Sequence, residues 1–481
     1  MRKTKFSIIC LSALLAGSMT FTSCGDDDDK STNGGNGEID KPIEPVKPDD
    51  KTVMTSQEQK QYLETVAKEF MNTIPSKDFK NLSDFGKYIS DVYAQQYEWD
   101  AVETWGEDIM DELLQTTGTK DTETEEYWGS TYTYIYTNYK ALIQASNFTG
   151  HFTARNGKWN LTQANDLQFI FTDENGKECV LKLKTSGNVK KVHMFNIDDW
   201  TDDDYHYDEE ADRYYSTYYY DRTAYTLGVP ENIEVTLSRG GSNMVKTAVK
   251  IDLNGISNEE FDLSKGNLSL SCTTEFDNGY KLDVSKVTYT ANKNVSVTTQ
   301  LSKSGKSLVN VAVASDLSGI PSCNISAFTE SDGDYDEDEE DEYKDVNAKN
   351  AFVKIDIIGK LQMQGKITDV KKFSNYLDNA DENDENEARF KSYINQANGM
   401  MDMGIFYDGK SVKQADVQFE PFMEGNSYYS YWYCEPVMKF QDGSSYSTFE
   451  AFFNETDFKS VIDLFIDLTD QYADLLDSDN W

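Results

Sequence analysis

Leu237–Ile256 reads LSRGGSNMVKTAVKIDLNGI, and 64 residues further on Leu301–Ile320 reads LSKSGKSLVNVAVASDLSGI, with 10 of 20 positions identical and no gap. Each copy carries a glycine where a tight turn needs positive φ, then a β-prone run, then an Asp-Leu-x-Gly-Ile exit. In the first copy Val245, Val249, Ile251 and Leu253 fall on one strand face and Lys246, Lys250 and Asp252 on the other. That alternation predicts a sheet covered on one side and wet on the other. A fragment of the same turn recurs at Gly176–Val180. Two copies and a fragment indicate a duplicated hairpin unit and not a long solenoid.

Further turn signals surround the repeat, at Asn156-Gly157, Asn175-Gly176 and Asn278-Gly279. From Phe148 onward they punctuate short β-prone runs, which predicts an antiparallel meander. Helices are expected on either side. Thr55 and Glu58 match a capping box, and Leu63, Val66, Ala67, Phe70, Met71 and Ile74 recur at helical spacing, so a helix is expected over 55–74. A second is expected over 82–97, a third near 108–115, and a C-terminal one over 457–476. The resulting fold class is α+β: a large antiparallel β-meander with a duplicated hairpin unit, covered by N-terminal helices and a C-terminal helix.

Two acidic stretches interrupt the pattern. Ser331–Asp345 contains ten Asp or Glu, and Asp378–Glu387 six more. The first suggests an acidic linker over 331–349 between a region 55–330, helical layer plus meander, and a C-terminal α+β region 350–481.

The N-terminus is of another kind. Arg2, Lys3 and Lys5 precede the apolar run Phe6–Ala16, which is about half as long as a membrane-spanning helix and reads as an export signal. Phe21-Thr22-Ser23-Cys24 then leads into Gly25 and four aspartates. This order resembles a bacterial lipobox, and the acidic run after it resembles the export tag of Bacteroidota outer-membrane surface lipoproteins. The resemblance covers about the first thirty residues. It implies that 1–23 is a signal peptide, that Cys24 is acylated, that outer-membrane lipid is a partner and that the protein is displayed outside the cell. Residues 24–54, with Pro42, Pro45 and Pro48, read as a disordered tether with a root-mean-square span of roughly 30 Å.

Removal of residues 1–23 would take away three of the 45 basic residues and none of the 85 acidic ones. A balance of 42 against 85 repels nucleic acid, so no nucleic-acid partner is expected. Cys10 lies in the signal; Cys179, Cys272, Cys323 and Cys434 are widely spaced and lack the CxxC pattern of a zinc or redox site. They allow one bridge or four single thiols.

No catalytic motif stands out, and neither metal nor cofactor is expected. Gly404–Ser411 has phosphate-loop spacing, but Ile405, Phe406 and Tyr407 are strand formers and Asp408-Gly409 is a hairpin turn. Asp332–Asp338 lacks the glycine of a calcium loop. His151, His193 and His206 are scattered, and His206 reads as a loop histidine. The one unusual segment is Asp198–Tyr225, where Trp200, Tyr205, Tyr207, Tyr218, Tyr219 and Tyr220 alternate with carboxylates. Rings beside carboxylates suit sugar faces and hydroxyls, and the cluster 428–433 contributes Trp432. Ordinary strand packing of tyrosine is the competing explanation. The expectation is a noncatalytic binding or interaction protein for extracellular glycan or another macromolecule. The alternatives are a carbohydrate-active hydrolase, which needs two facing carboxylates, and a structural lipoprotein of an outer-membrane complex.

Overall fold

The computed structural model describes residues 53–88, 98–127, 130–210, 213–320, 322–325, 347–425, 430–444, 452, 458–464 and 466–467. The export signal, Cys24, most of the tether, the acidic run from Ser331 and the end of the C-terminal helix lie outside them. In chain order, helices α1 (Ser56–Thr73), α2 (Lys80–Tyr88) and α3 (Asp100–Leu113) come first. Strands β1 (Leu114–Tyr127), β2 (Ser130–Gln144), β3 (Gly150–Arg155), β4 (Lys158–Thr162), β5 (Leu167–Thr172), β6 (Glu178–Asp208), β7 (Arg213–Arg239) and β8 (Ser242–Asn254) follow. The short strands β9 (Ile256–Ser257) and β10 (Glu260–Phe261) pair with each other. Strands β11 (Asn267–Phe276), β12 (Tyr280–Thr290), β13 (Asn294–Lys303), β14 (Lys306–Ser318), β15 (Asn347–Ile357) and β16 (Leu361–Ile367) lead to helices α4 (Val370–Asp381) and α5 (Glu387–Met400). Strands β17 (Met401–Tyr407), β18 (Ala415–Gly425) and β19 (Ser430–Phe440) come last, and residues 458–464 and 466–467 are helical.

The architecture is mixed α+β, built on a large and mostly antiparallel sheet with an N-terminal and a C-terminal helix. Its described residues fall into two compact units, each discontinuous in sequence. Of the described residues, one gathers those of 53–87, 269–320 and 347 onward; the other gathers those of 88–268 and 322–325.

In the first unit, β12 to β19 pair in sequence order, every neighbour antiparallel. The core face of this meander is closed by α1. Thr55 and Glu58 form the expected capping box, and the apolar stripe divides between two clusters. Leu63 and Met71 meet Ile405, Tyr407, Val417, Met438 and Phe440, together with Phe452, Phe458 and Val461. Val66 meets Tyr280, Leu308 and Ile358. Gln59 is wholly buried at the centre, and its amide nitrogen donates to the Met54 and Gln414 carbonyls while its oxygen accepts from the Tyr407 hydroxyl at 2.9 Å. Such a group is tolerated in a core because each of its polar atoms has a partner. Helices α4 and α5 form a hairpin at the second acidic stretch, packing Ala380, Phe390 and Ile394 against Phe419, Trp432 and Cys434.

The repeated sequences fold as the same bulged hairpin. Leu237 pairs with Val245 and Ser238 with Asn243; likewise Leu301 pairs with Val309 and Ser302 with Ser307. The extra residue is Met244 in one and Leu308 in the other, 64 positions apart, and both are buried. Gly240-Gly241 and Ser304-Gly305 take positive φ at both turn positions, as do Asn156-Gly157 and Asp408-Gly409. The apparent phosphate loop is therefore the end of β17 and a turn. Ile358-Gly359 makes the same kind of turn with no Asn or Asp to announce it. A β-branched residue is costly at positive φ, and here Ile358 is held by burial in the core and by donation from its N–H to the Leu308 carbonyl.

The second unit corrects the sequence reading at its start. The helical layer ends at Leu113, and β1 and β2 occupy the stretch before Phe148. The helix expected near 108–115 is α3, which starts eight residues earlier at Asp100. Trp105 on α3 packs edge-on against Phe148 and Phe152, and Phe152 stacks on Phe169. The helix expected over 82–97 is described as α2 up to Tyr88, and the rest of it lies outside the described residues.

Asp173 anchors the hairpin between β5 and β6. It is buried, accepts from the backbone of Asn175 and Lys177 at 2.9 and 2.7 Å, and pairs with Arg239 at the end of β7. Burial alone would raise its carboxyl, but donation from Lys177, Arg239 and Asn175 outweighs burial and leaves it below the ordinary range. Stability from this group is complete above the unfolded-state value of about 4 and is lost as pH falls through the lower folded value. Asp173→Asn should lower stability by roughly 2–4 kcal/mol at neutral pH. Denaturation melts of both proteins should converge as pH is lowered below about 4; an unchanging gap would remove Asp173 from this role.

Candidate functional site

Strand β7 carries the site because it changes partners along its length. Its second part, Asn232–Arg239, pairs with β8, whereas Tyr215–Gly228 pairs with β2, and β6 runs antiparallel along its other side. The β2–β7 pair is parallel, an exception in a mostly antiparallel sheet. Strand β1 pairs antiparallel with β2. The result is a four-strand surface in the order β1, β2, β7, β6.

Register then dictates which side chains share a face, because alternate residues point the same way. Reading from β1 to β6, one row is Glu125, Tyr132, Ser216 and Tyr205. The next is Glu123, Tyr134, Tyr218 and Asp203, followed by Asp121, Tyr136, Tyr220 and Trp200. Asn138, Arg222 and Asp198 form the next row, and Gln115, Lys140, Ala224 and Asn196 the one beyond it. Tyrosines fill the middle of the two central strands, carboxylates line β1, and β6 carries Asp198 and Asp203 together with the rings Trp200 and Tyr205. A bulge between Trp200 and Asp202 restores Trp200 to this face despite its even spacing from Asp202. The Thr201 hydroxyl at that bulge donates to the Tyr219 carbonyl.

The rings divide into two kinds. Tyr134 stacks on Tyr218 at 5.6 Å and Tyr136 on Tyr220 at 5.5 Å, so each pair covers its own flat faces. These four act as scaffold. Trp200 and Tyr205 are about 59% and 64% exposed, and Tyr205 meets Tyr218 edge-on. Tyr207 and Tyr214 extend the exposed group, 4.7 Å apart. The structure therefore brings together Trp200, Tyr205, Tyr207, Tyr218 and Tyr220 of the expected residues. Tyr219 points to the opposite face, in register with Ile135 and Asp202. Trp432 belongs to the other unit, where it packs beside Phe390 with the Lys391 ammonium 4.4 Å from its ring. Sequence reading missed Tyr132, Tyr134, Tyr136 and Arg222. The alternation Thr131-Tyr132-Thr133-Tyr134-Ile135-Tyr136 is a period-two strand signal that could have found the first three.

The Arg222 guanidinium is held on one edge and one face. It binds Asp198 through two nitrogens at 2.7–2.8 Å, lies 3.7 Å from Glu123 and sits 3.8 Å over the Tyr136 ring. Hydrogen bonding to Asp198 raises its pKa further. Burial, with Glu125 next, raises the Tyr134 hydroxyl, and burial with Glu123 raises Tyr136. Tyr205 is raised chiefly by its hydrogen bond to Asp203. The surface thus offers neutral phenols amid negative charge.

Other candidate chemistry is dispersed. His206 faces Tyr215 on the reverse side of the sheet. His151 contacts Asp166 at 2.7 Å, and Asp166 also binds Lys182. Among the described residues no group of three or more His, Cys, Asp and Glu converges on a metal-sized site. Cys179, Cys272, Cys323 and Cys434 are unbridged, and burial pushes the Cys179 and Cys434 thiols up to about 11. Comparison of the chain with protein-family models, curated proteins and solved structures finds no match in any of the three.

If Tyr134 and Tyr218 stabilise the face by stacking, a double-mutant cycle of Tyr134→Ala and Tyr218→Ala should give a coupling of about 0.5–1.5 kcal/mol. Additive losses in thermal or urea melts would show that the pair contributes area alone.

Proposed function

We propose that the protein is a lipid-anchored, surface-displayed lipoprotein that binds extracellular glycan without altering it. The observation that carries this reading is the ring face of the second unit: exposed Trp200 and Tyr205 on a scaffold of stacked tyrosines, flanked by carboxylates on both outer strands. Flat apolar rings suit the C–H faces of sugars, and carboxylates accept from sugar hydroxyls. Rigid placement on paired strands keeps the ordering cost of binding low. The lipobox-like sequence at Cys24 and the acidic run behind it support the address. Acyl chains there would contribute about 0.8 kcal/mol per buried methylene, enough for durable attachment when several are present. We also infer that the two matching hairpins descend from one duplicated unit, which supplied strand length to both parts of the sheet.

Two measurements test the reading. Palmitate labelling should mark the wild-type chain and not Cys24→Ser, and protease added to intact cells should remove the labelled protein; equal labelling of both would dismiss the anchor. On a panel of host and plant glycans, Trp200→Ala combined with Tyr205→Ala should weaken binding by about tenfold or more. The Tyr219→Ala variant, altered on the reverse face, should bind as the wild type does. Loss through Tyr219 with no effect of the first pair would relocate the site.

A further inference from the structure

We infer that the ring face selects sugar chains bearing free amino groups; this rests on reading that face as a glycan site. Charge makes the selection. Five carboxylates share the face with the rings: Asp121, Glu123 and Glu125 from β1, and Asp198 and Asp203 from β6. The cation nearest the tyrosine rows, Arg222, is held between Asp198, Glu123 and the Tyr136 ring, and the exposed Lys140 stands one row farther away. The Nε–Nη2 edge of Arg222 is taken by Asp198 and its charge is shared with Glu123, which weakens what it can offer an acidic sugar. Asp121 accepts from the Asn138 amide at 2.8 Å and Asp203 from the Tyr205 hydroxyl, and Glu125 and Asp203 stand at opposite borders of the tyrosine rows.

A uronic or sulfated sugar entering this face meets like charge on both sides and loses its own hydration without compensation. A neutral sugar gains stacking and hydroxyl contacts. A hexosamine with a free ammonium group gains those and two more: attraction to the flanking carboxylates, and attraction of the cation to exposed ring faces at Trp200 and Tyr205. Four adjoining strands span about 14 Å, so one bound chain can reach rings and carboxylates at once. Acetylating the nitrogen removes the charge and both extra contributions while keeping the sugar ring.

The test uses the purified full chain and calorimetric titration with a glucosamine oligomer, its N-acetylated counterpart and a uronic-acid oligomer, at mildly acidic pH and fixed salt. Three paired variants are compared: Trp200→Ala with Tyr205→Ala, Glu125→Gln with Asp203→Asn, and a control of equal charge change elsewhere, Asp252→Asn with Glu275→Gln. The glucosamine oligomer should bind about tenfold more tightly than the N-acetylated one and more tightly still than the uronic one. Each of the first two pairs should cost about tenfold, and the control pair should cost nothing. Equal binding of the N-acetylated or uronic chain would overturn amine selection and leave the glycan site standing. Equal loss in the control, or none in the ring variant, would reduce the attraction to diffuse polyanion charge and overturn the inference. Absence of binding by any sugar would sink the glycan reading itself.

Discussion

The parallel pairing of β2 with β7 is the constraint on which the candidate site depends. A strand offers hydrogen bonds along two edges only, and β7 gives one edge to β6 throughout. Its other edge is shared, β8 taking one part and β2 the other. Were β8 to run the full length, the tyrosines of β2 would have no place beside those of β7. With β2 in place and in register, Tyr134 meets Tyr218 and Tyr136 meets Tyr220, and stacked cross-strand aromatics then return part of the stabilisation that the less favourable parallel ladder gives up. A slip of one residue would send every one of these rings to the reverse face.

Charge sets the character of that surface. Burial raises the Tyr134 and Tyr136 phenols, and carboxylates on β1 and β6 raise these further and raise Tyr205; the carboxylates also engage Arg222. They also mark the outer strands with like charge, which opposes pairing with a second copy of the chain.

The other unit solves a different problem, covering one face of a long antiparallel meander with few helices. Helix α1 does so by carrying two apolar rows and one buried amide, Gln59, whose partners come from the backbone before the helix and from the β17–β18 connection. The helix end is tied as well: the Thr73 carbonyl accepts from the Tyr280 hydroxyl at 2.9 Å and from Lys303 at 3.1 Å. These contacts join residues more than two hundred positions apart, so helix and meander stabilise each other.

Local physical chemistry was legible wherever a residue acts through its own backbone. The Thr55–Glu58 capping box, the apolar stripe of α1, the Asn-Gly and Gly-Gly turns and the repeated hairpin could be read from the chain, because caps, helical period and positive φ are properties of a few consecutive residues. Where local rules compete, reading failed: Ile358 takes a left-handed turn that only burial against Leu308 and its neighbours can hold, and Leu114–Gln144 forms strands that the preceding helices masked. The aromatic and acidic composition of Asp198–Tyr225 was equally plain. What composition does not contain is partnership. That Trp200, Tyr205, Tyr218 and Tyr220 share a face while Tyr219 is turned away follows from a bulge and from register. That Trp432 packs on a helix of the other unit, and that Tyr134 and Tyr136 complete the rows, follows from which strands pair. Those choices depend on hydrogen bonds between segments up to about ninety residues apart, and only the tertiary structure decided them.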